Sequence, residues 1–254
     1  MDLKNVRFAE KRVKSGKKLV EKHDFNTLNK IILGNKICSE ITISFFNRNK
    51  DNTEPLILEE QRLCDEFERY CLFISVSNED KKQFEELRKI LLRIYQFSEE
   101  EYSHFRSDFT EYLAAVFITA KKKKSLGLNW KASLFFHEPY IFYKRKRQLP
   151  ESVFDIVHIN RLAKVLDFYE CKVNVNTFLR HLNSKKITKK TENAQRKIKY
   201  MNNVYYYFLY LKGCELDVCF FTFTKTVSNT SLVPSNISIV KGNDIVNVLA
   251  NYDK

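Results

Sequence analysis

Tyr112 to Arg147, YLAAVFITAKKKKSLGLNWKASLFFHEPYIFYKRKR, is the stretch on which the fold turns. β-branched and aromatic residues dominate it. Two turn signals, KKKKSLG and Glu138-Pro139, cut it into runs at 112–120, 128–137 and 140–146. Such runs predict three strands of an antiparallel meander. Upstream, Phe84, Leu87, Leu91, Ile94 and Tyr95 recur at helical spacing behind an Asn78 cap, which predicts an amphipathic helix over 78–97. Ser98 with Glu101 reads as the capping box of a short helix ending near Asp108.

Downstream, Val153 to Tyr169 has helical spacing, and Asn176 reads as the cap of a short helix through Leu182. Residues 204–211 and 216–227 read as a hairpin around Gly213, Ile237–Val240 as a further strand, and Asn243 as the cap of a last helix. Helices and strands mix without a regular βαβ alternation. The expected class is therefore α+β, a mainly antiparallel sheet (meander plus later hairpin) with several packed helices, an OB-like barrel being one way to arrange it.

The 254 residues carry 44 Lys and Arg against 31 Asp and Glu, a net charge of +13, with 44% hydrophobic and only 5 Gly and 4 Pro residues. That composition excludes disordered and collagen-like chains and makes polyanions the first partners to consider. No stretch approaches the roughly 18 apolar residues of a membrane-spanning helix, and the basic amino terminus lacks the apolar core of a secretory signal, so a soluble, non-secreted chain is expected. The six cysteines have no metal-ligand spacing and read as reduced, mostly buried thiols. Part of the basicity fits an A/T-rich coding sequence, so its placement is the stronger evidence.

The charge is segregated. Residues 54–111 hold 15 acidic and 8 basic side chains, whereas 1–22, 121–147 and 180–200 are strongly basic. The window 121–147 combines nine basic residues with six aromatics. An unpaired nucleic-acid strand needs that mixture, because cations neutralise phosphates while exposed rings stack on bases. Strand alternation turns Leu128, Trp130, Ala132, Leu134, Phe136, Ile141 and Tyr143 inward, and leaves Phe135, Tyr140 and Phe142 as stacking candidates. The expected phosphate contacts are Lys121, Lys122, Lys123, Lys124, Lys131, Lys144, Arg145, Lys146 and Arg147, with Arg196 and Lys197 from the later basic cluster. The alternative for the rings is a sheet face covered by a helix. The expected domain plan is a basic arm over 1–24 and a single nucleic-acid-binding domain over 25–254, with an optional sub-lobe boundary near 150. The acidic segment 54–111 is a candidate for self-association or for docking replication proteins.

Catalytic motifs are sparse. No P-loop, dinucleotide fingerprint, H-E-x-x-H or G-x-S-x-G occurs, so no enzyme activity, cofactor or metal is expected from motifs. One pattern stands apart, Asp155 followed by Glu170-Cys171-Lys172, in which two carboxylates could hold Mg²⁺ beside a lysine for phosphodiester hydrolysis. Glu79-Asp80-Lys81 shows how easily Glu-x-Lys arises by coincidence. The nuclease reading requires Asp155, Glu170 and Lys172 to converge in space.

The stretches ICSEITISFF (37–46), CDEFERYCLFISVSNEDKKQFEELRKILLRIYQF (64–97) and WKASLFFHEPYIFYKRKRQLPESVF (130–154) resemble the baculovirus single-stranded DNA-binding protein, DBP. The resemblance implies a non-enzymatic viral protein that coats single-stranded DNA and destabilises duplex without ATP, the choice between DNA and RNA being left open by the sequence. It also implies a place in the host nucleus, in the viral replication compartment, and no membrane partner. A metal-dependent nuclease and a basic structural or assembly protein on duplex DNA are the alternatives.

Overall fold

The computed structural model describes the backbone of residues 1–9, 23–126, 133–136, 139–149 and 154–252, with side chains except at 23–25, 123–126 and 133. By their contacts the residues fall into two units, one built from 1–16 and 110–241, the other from 17–109 and 242–254. Residues on both sides of position 150 belong to the first unit. The class is α+β, as composition and pattern predict.

The second unit is helical: α1 (His23–Ile32), α2 (Lys36–Arg48), α3 (Leu56–Phe73), α4 (Asn78–Tyr95), the start of α5 (Glu99–Leu126), and α8 (Gly242–Leu249). Eight of the thirteen residues of α2 are buried, the apolar ones among them, so it forms the centre. Phe46 packs on Phe109 at 5.1 Å and Phe67 stacks on Phe84 at 4.0 Å. The expected 78–97 helix is present, capped by Ser77 rather than Asn78, with Asp80 closing the box. The Ser98–Glu101 box is also formed, each side chain bonded to the other's backbone N–H at 3.3 Å.

That box opens a much longer helix than expected. Residues 112–120 continue α5 instead of forming a strand. Their β-branched content favours a strand locally, but Tyr102, Phe105, Phe109, Leu113 and Phe117 recur at three and four and are all buried, so the helical period prevails.

The first unit holds two sheets. The smaller pairs β1 (Val6–Ala9) with β3 (Tyr140–Tyr143) and β3 with β4 (Lys146–Gln148), all antiparallel. The larger has the order β2 (Ser133–Phe136), β5 (Ile156–Asn160), β6 (Val165–Lys172), β7 (Glu215–Thr222), β8 (Ser238–Val240). Its β2–β5–β6 part is antiparallel, while β6–β7 and β7–β8 are parallel. The expected meander is thus corrected: β2 and β3 lie in different sheets, and the basic amino-terminal stretch supplies β3 with a partner. Each sheet order has two ends, so among the described residues neither closes into a barrel.

Two further expectations are overturned. Where a helix over 153–169 is expected, residues 156–169 belong to a β-hairpin of β5 and β6. All five residues of β5 are buried, which erases the alternation that marks a strand. The Asn160 side chain accepts the N–H groups of Leu162 and Ala163, closing the turn. Residues 204–211, expected as a strand, fall mostly in α7 (Lys189–Phe208), which follows α6 (Val175–Leu182) in a crossover joining parallel strands β6 and β7. Thr188 caps α7 through a reciprocal box with Thr191, and Asn174, not Asn176, caps α6. On the sheet face towards α6 and α7, Leu166, Phe168, Val218 and Phe220 join Phe178 and Phe208 in one core. On the other face α5 contributes Phe117 against Phe221 at 5.7 Å.

Candidate active site

β5 and β6 bring Asp155, Glu170 and Lys172 together. Ile156 is paired with Tyr169, and the Asp155 N–H donates to the Tyr169 carbonyl at 3.0 Å, which sets Asp155 beside Glu170. The Asp155 carboxylate in turn accepts the Cys171 N–H at 2.7 Å. Alternation along β6 places Glu170 and Lys172 on the face of Leu166 and Phe168, towards α7. There Glu170 Oε1 receives two ammonium groups, from Lys172 on its own strand and from Lys197 on α7. Lys172 also donates to the Cys171 carbonyl at 3.1 Å.

Glu170 is 0% exposed, and its Oε2 has no hydrogen-bond partner among the described residues. A buried carboxylate oxygen left unpaired is costly and calls for a ligand. The donors at hand are hard oxygens, the set that Mg²⁺ or Mn²⁺ takes. Among the described residues no group of three or more His, Cys, Asp and Glu could hold a metal. Two carboxylates suffice for Mg²⁺, which keeps waters and takes substrate phosphate oxygens for the remainder.

Burial, and then the Glu170 charge, push the Asp155 carboxyl up to about 7, against the lowering effects of Lys172, Lys197 and the Cys171 N–H. Burial opposes the charge on Lys172, but Glu170 and Asp155 overcome it and hold the ammonium above its ordinary value. Below neutrality a proton therefore competes with any cation for the Asp155 carboxylate. We expect the rise in Tm produced by Mg²⁺ to grow between about pH 6 and pH 8, measured by a thermal-shift titration. Without cation the raised value has the opposite sign for folding: stability falls as pH rises from the ordinary 3.8 to about 7. Asp155→Asn should remove both trends.

A cavity of about 320 Å³ opens beside Lys172 and Lys197, the two lysines that hold Glu170. One stripe of α6 (Thr177, Phe178, His181, with Asn174 at its cap) and one of α7 (Lys190, Asn193, Ala194, Lys197) line it with Lys172. Both stripes follow the i, i+3, i+4, i+7 rule for one helix face. Thr222 and Thr224 anchor the start of α6, accepting the Val175 N–H at 3.2 Å each, so the turn after Lys172 is fixed by the end of β7.

The sequence-predicted nucleic-acid residues scatter. Lys144, Arg145, Lys146 and Arg147 are exposed at the β3–β4 turn, and Arg147 stacks over Tyr140 at 4.0 Å. Phe142 is half-buried and sits between Arg7 and Arg147 in the strand register, on the face opposite Ile141. Lys121 is exposed, whereas Lys122 turns inward to Asp167 at 3.3 Å and Glu215 at 3.4 Å, which takes it out of the set that could meet a phosphate. Phe135 packs 5.4 Å from Phe8 against the core, so it is no stacking platform. Arg196 is exposed and bonded to Asn193. Lys197, expected on a phosphate, is engaged by Glu170. The side chains of Lys123 and Lys124, and residues Trp130 and Lys131, lie outside the described residues. Glu170 as the partner of Lys197 carried no local signal, because 27 residues separate them. No protein-family model and no curated protein sequence matches the chain.

Proposed function

We propose that this chain is a metal-dependent phosphodiesterase acting on nucleic acid. The observation that carries the reading is the meeting of Asp155, Glu170 and Lys172 on neighbouring strand ends, with a buried Glu170 oxygen left without a partner among the described residues. Asp155 and Glu170 are the residues that would hold a divalent cation. Such an ion, when bound, polarises the phosphoryl oxygen and makes bound water a nucleophile near neutral pH. Lys172, kept cationic by the two carboxylates, offsets negative charge developing on the phosphate. Lys197 holds the Glu170 carboxylate from α7. The test is cleavage of end-labelled oligo-dT and of a duplex of equal length with Mg²⁺ or Mn²⁺ and with EDTA. Cation-dependent products support the reading, and intact substrate under every condition overturns it.

The second reading is single-stranded DNA binding without cleavage, the activity implied by the baculovirus resemblance, with replication in the host nucleus as its setting. The β3–β4 turn favours it. Lys144 and Arg145 both have left-handed backbone (φ 47° and 67°), a conformation that two-residue hairpins ordinarily give to Asn-Gly. Holding two non-glycine residues there costs on the order of 1–3 kcal/mol each. Lys144→Asn with Arg145→Gly should therefore raise Tm by a few degrees. If both cations meet phosphates, the same double variant should flatten the slope of log K against log salt on oligo-dT by about 1.4. An unchanged slope would remove the turn from the interface. For the acidic segment, Leu72 and Phe73 at the end of α3, 79% and 85% exposed, favour partner docking or self-association there. No helix among the described residues is long and apolar enough to cross a membrane.

A further inference from the structure

The groove between α6 and α7 has cationic rims and an apolar floor. Lys172 and Lys197 stand at its inner end, both committed to Glu170; Lys190 and His181 stand further out, with Phe178 and Ala194 beneath. No carboxylate side chain is among its lining residues. Neither Lys190 nor His181 has an ion-pair partner among the described residues, in a unit where Lys122, Lys172 and Lys197 all do. Ala194 matters by its size: at the i+4 position from Lys190, a larger side chain would occupy the floor.

We propose that this groove is a phosphate subsite, taking the phosphate and sugar of the nucleotide next to the bond that is cut. Lys190 and His181 meet the phosphate oxygens, and the Phe178–Ala194 floor meets the apolar edge of the sugar. The inference rests on the phosphodiesterase reading for its link to Glu170, but not for phosphate binding itself. The shared chemistry is a nucleotide phosphate, either a terminal monoester or an internal diester.

Binding is measured in EDTA, where no cation-dependent cleavage intervenes, with fluorescent oligo-dT bearing a 5′-phosphate, a 3′-phosphate or neither. Lys190→Gln with His181→Gln should weaken binding about tenfold, as expected for losing one or two charge-assisted contacts. Lys190→Gln alone, at an exposed position that leaves the fold intact, should give part of that loss. Lys185→Gln with Lys186→Gln, in the connection outside the groove, should change it less than about twofold. A loss confined to one end-phosphorylated probe assigns the subsite to a strand end, and an equal loss on all three assigns it to an internal phosphate. With Mg²⁺ the groove variant should raise KM and leave kcat nearly unchanged. Wild-type affinity in the groove variants, or an equal loss in the control, overturns the subsite. If the wild-type chain cuts nothing, the phosphodiesterase reading fails while the EDTA binding still decides the groove.

Discussion

Glu170→Gln is expected to reduce cation-dependent cleavage by roughly a thousandfold, about 4 kcal/mol of barrier. The substitution keeps the shape of the side chain, and its amide oxygen can still accept from Lys172 and Lys197, so the fold should persist. What it removes is the negative charge of a cation ligand. The same change takes one negative charge away from a groove lined by three lysines, so oligonucleotide affinity in EDTA should rise by a few fold. Loss of cleavage with tighter binding separates a catalytic carboxylate from a structural one, since misfolding would weaken both. Single-turnover cleavage beside fluorescence anisotropy gives the two numbers. Lys172→Met should also lose cleavage while leaving Asp155 and Glu170 as ligands, so its Mg²⁺-induced Tm shift should survive. Unchanged cleavage in Glu170→Gln would remove the proposed site.

The largest effect on stability is expected at Lys122→Ala. Lys122, on α5, is buried against the facing side of the larger sheet, paired with Asp167, which is 1% exposed and also touches His158 at 2.7 Å. Removing one partner of a buried ion pair leaves the other charge without its counterion, a loss on the order of 3–5 kcal/mol. For a protein of this size that lowers Tm by roughly 6–20 °C. Lys122→Met with Asp167→Leu should recover only part of the loss, because an apolar pair needs no desolvation of charge but buried His158 loses its Asp167 contact. A thermal melt of the single and double variants decides it. A Tm within about 2 °C of wild type for Lys122→Ala would show that the pair contributes little. Oligonucleotide affinity should be unaffected by the double variant, which distinguishes this lysine from the cations of the β3–β4 turn.

Legibility differed sharply between elements. The helix over 78–95 and the Ser98–Glu101 box could be read directly, because caps and the three-and-four period are local features. The same was true of α6 within two residues and of β8 within one. Strands β5 and β6 of the larger sheet could not be read in the same way. β5 is covered on both faces, so its sequence IVHIN has no alternation and passes equally well for one side of a helix. The aromatic run at 204–208 failed in the opposite direction: two turns of α7 with Val204 and Phe208 buried on one side look like a strand when every neighbour is a tyrosine. The candidate site was half visible. Asp155 and Glu170-Cys171-Lys172 are the right residue types for phosphate chemistry, but Glu79-Asp80-Lys81 has the same pattern on the surface of α4 and no second carboxylate strand beside it.

By itself the sequence determined the α+β class, the capped helices, the segregation of acidic from basic residues and the chemical repertoire of the chain, since these depend on residue type and short-range spacing. Only the tertiary structure decided which charges are spent inside and which stay outside. Lys122 and Lys121 are adjacent in the sequence, yet one neutralises Asp167 and the other is exposed, because a helix turns successive side chains about 100° apart. Antiparallel pairing of β5 with β6, and the return of α7 across that sheet, put Asp155, Glu170, Lys172 and Lys197 within reach of one another. That proximity is a property of strand register and helix packing, which no window of neighbouring residues contains.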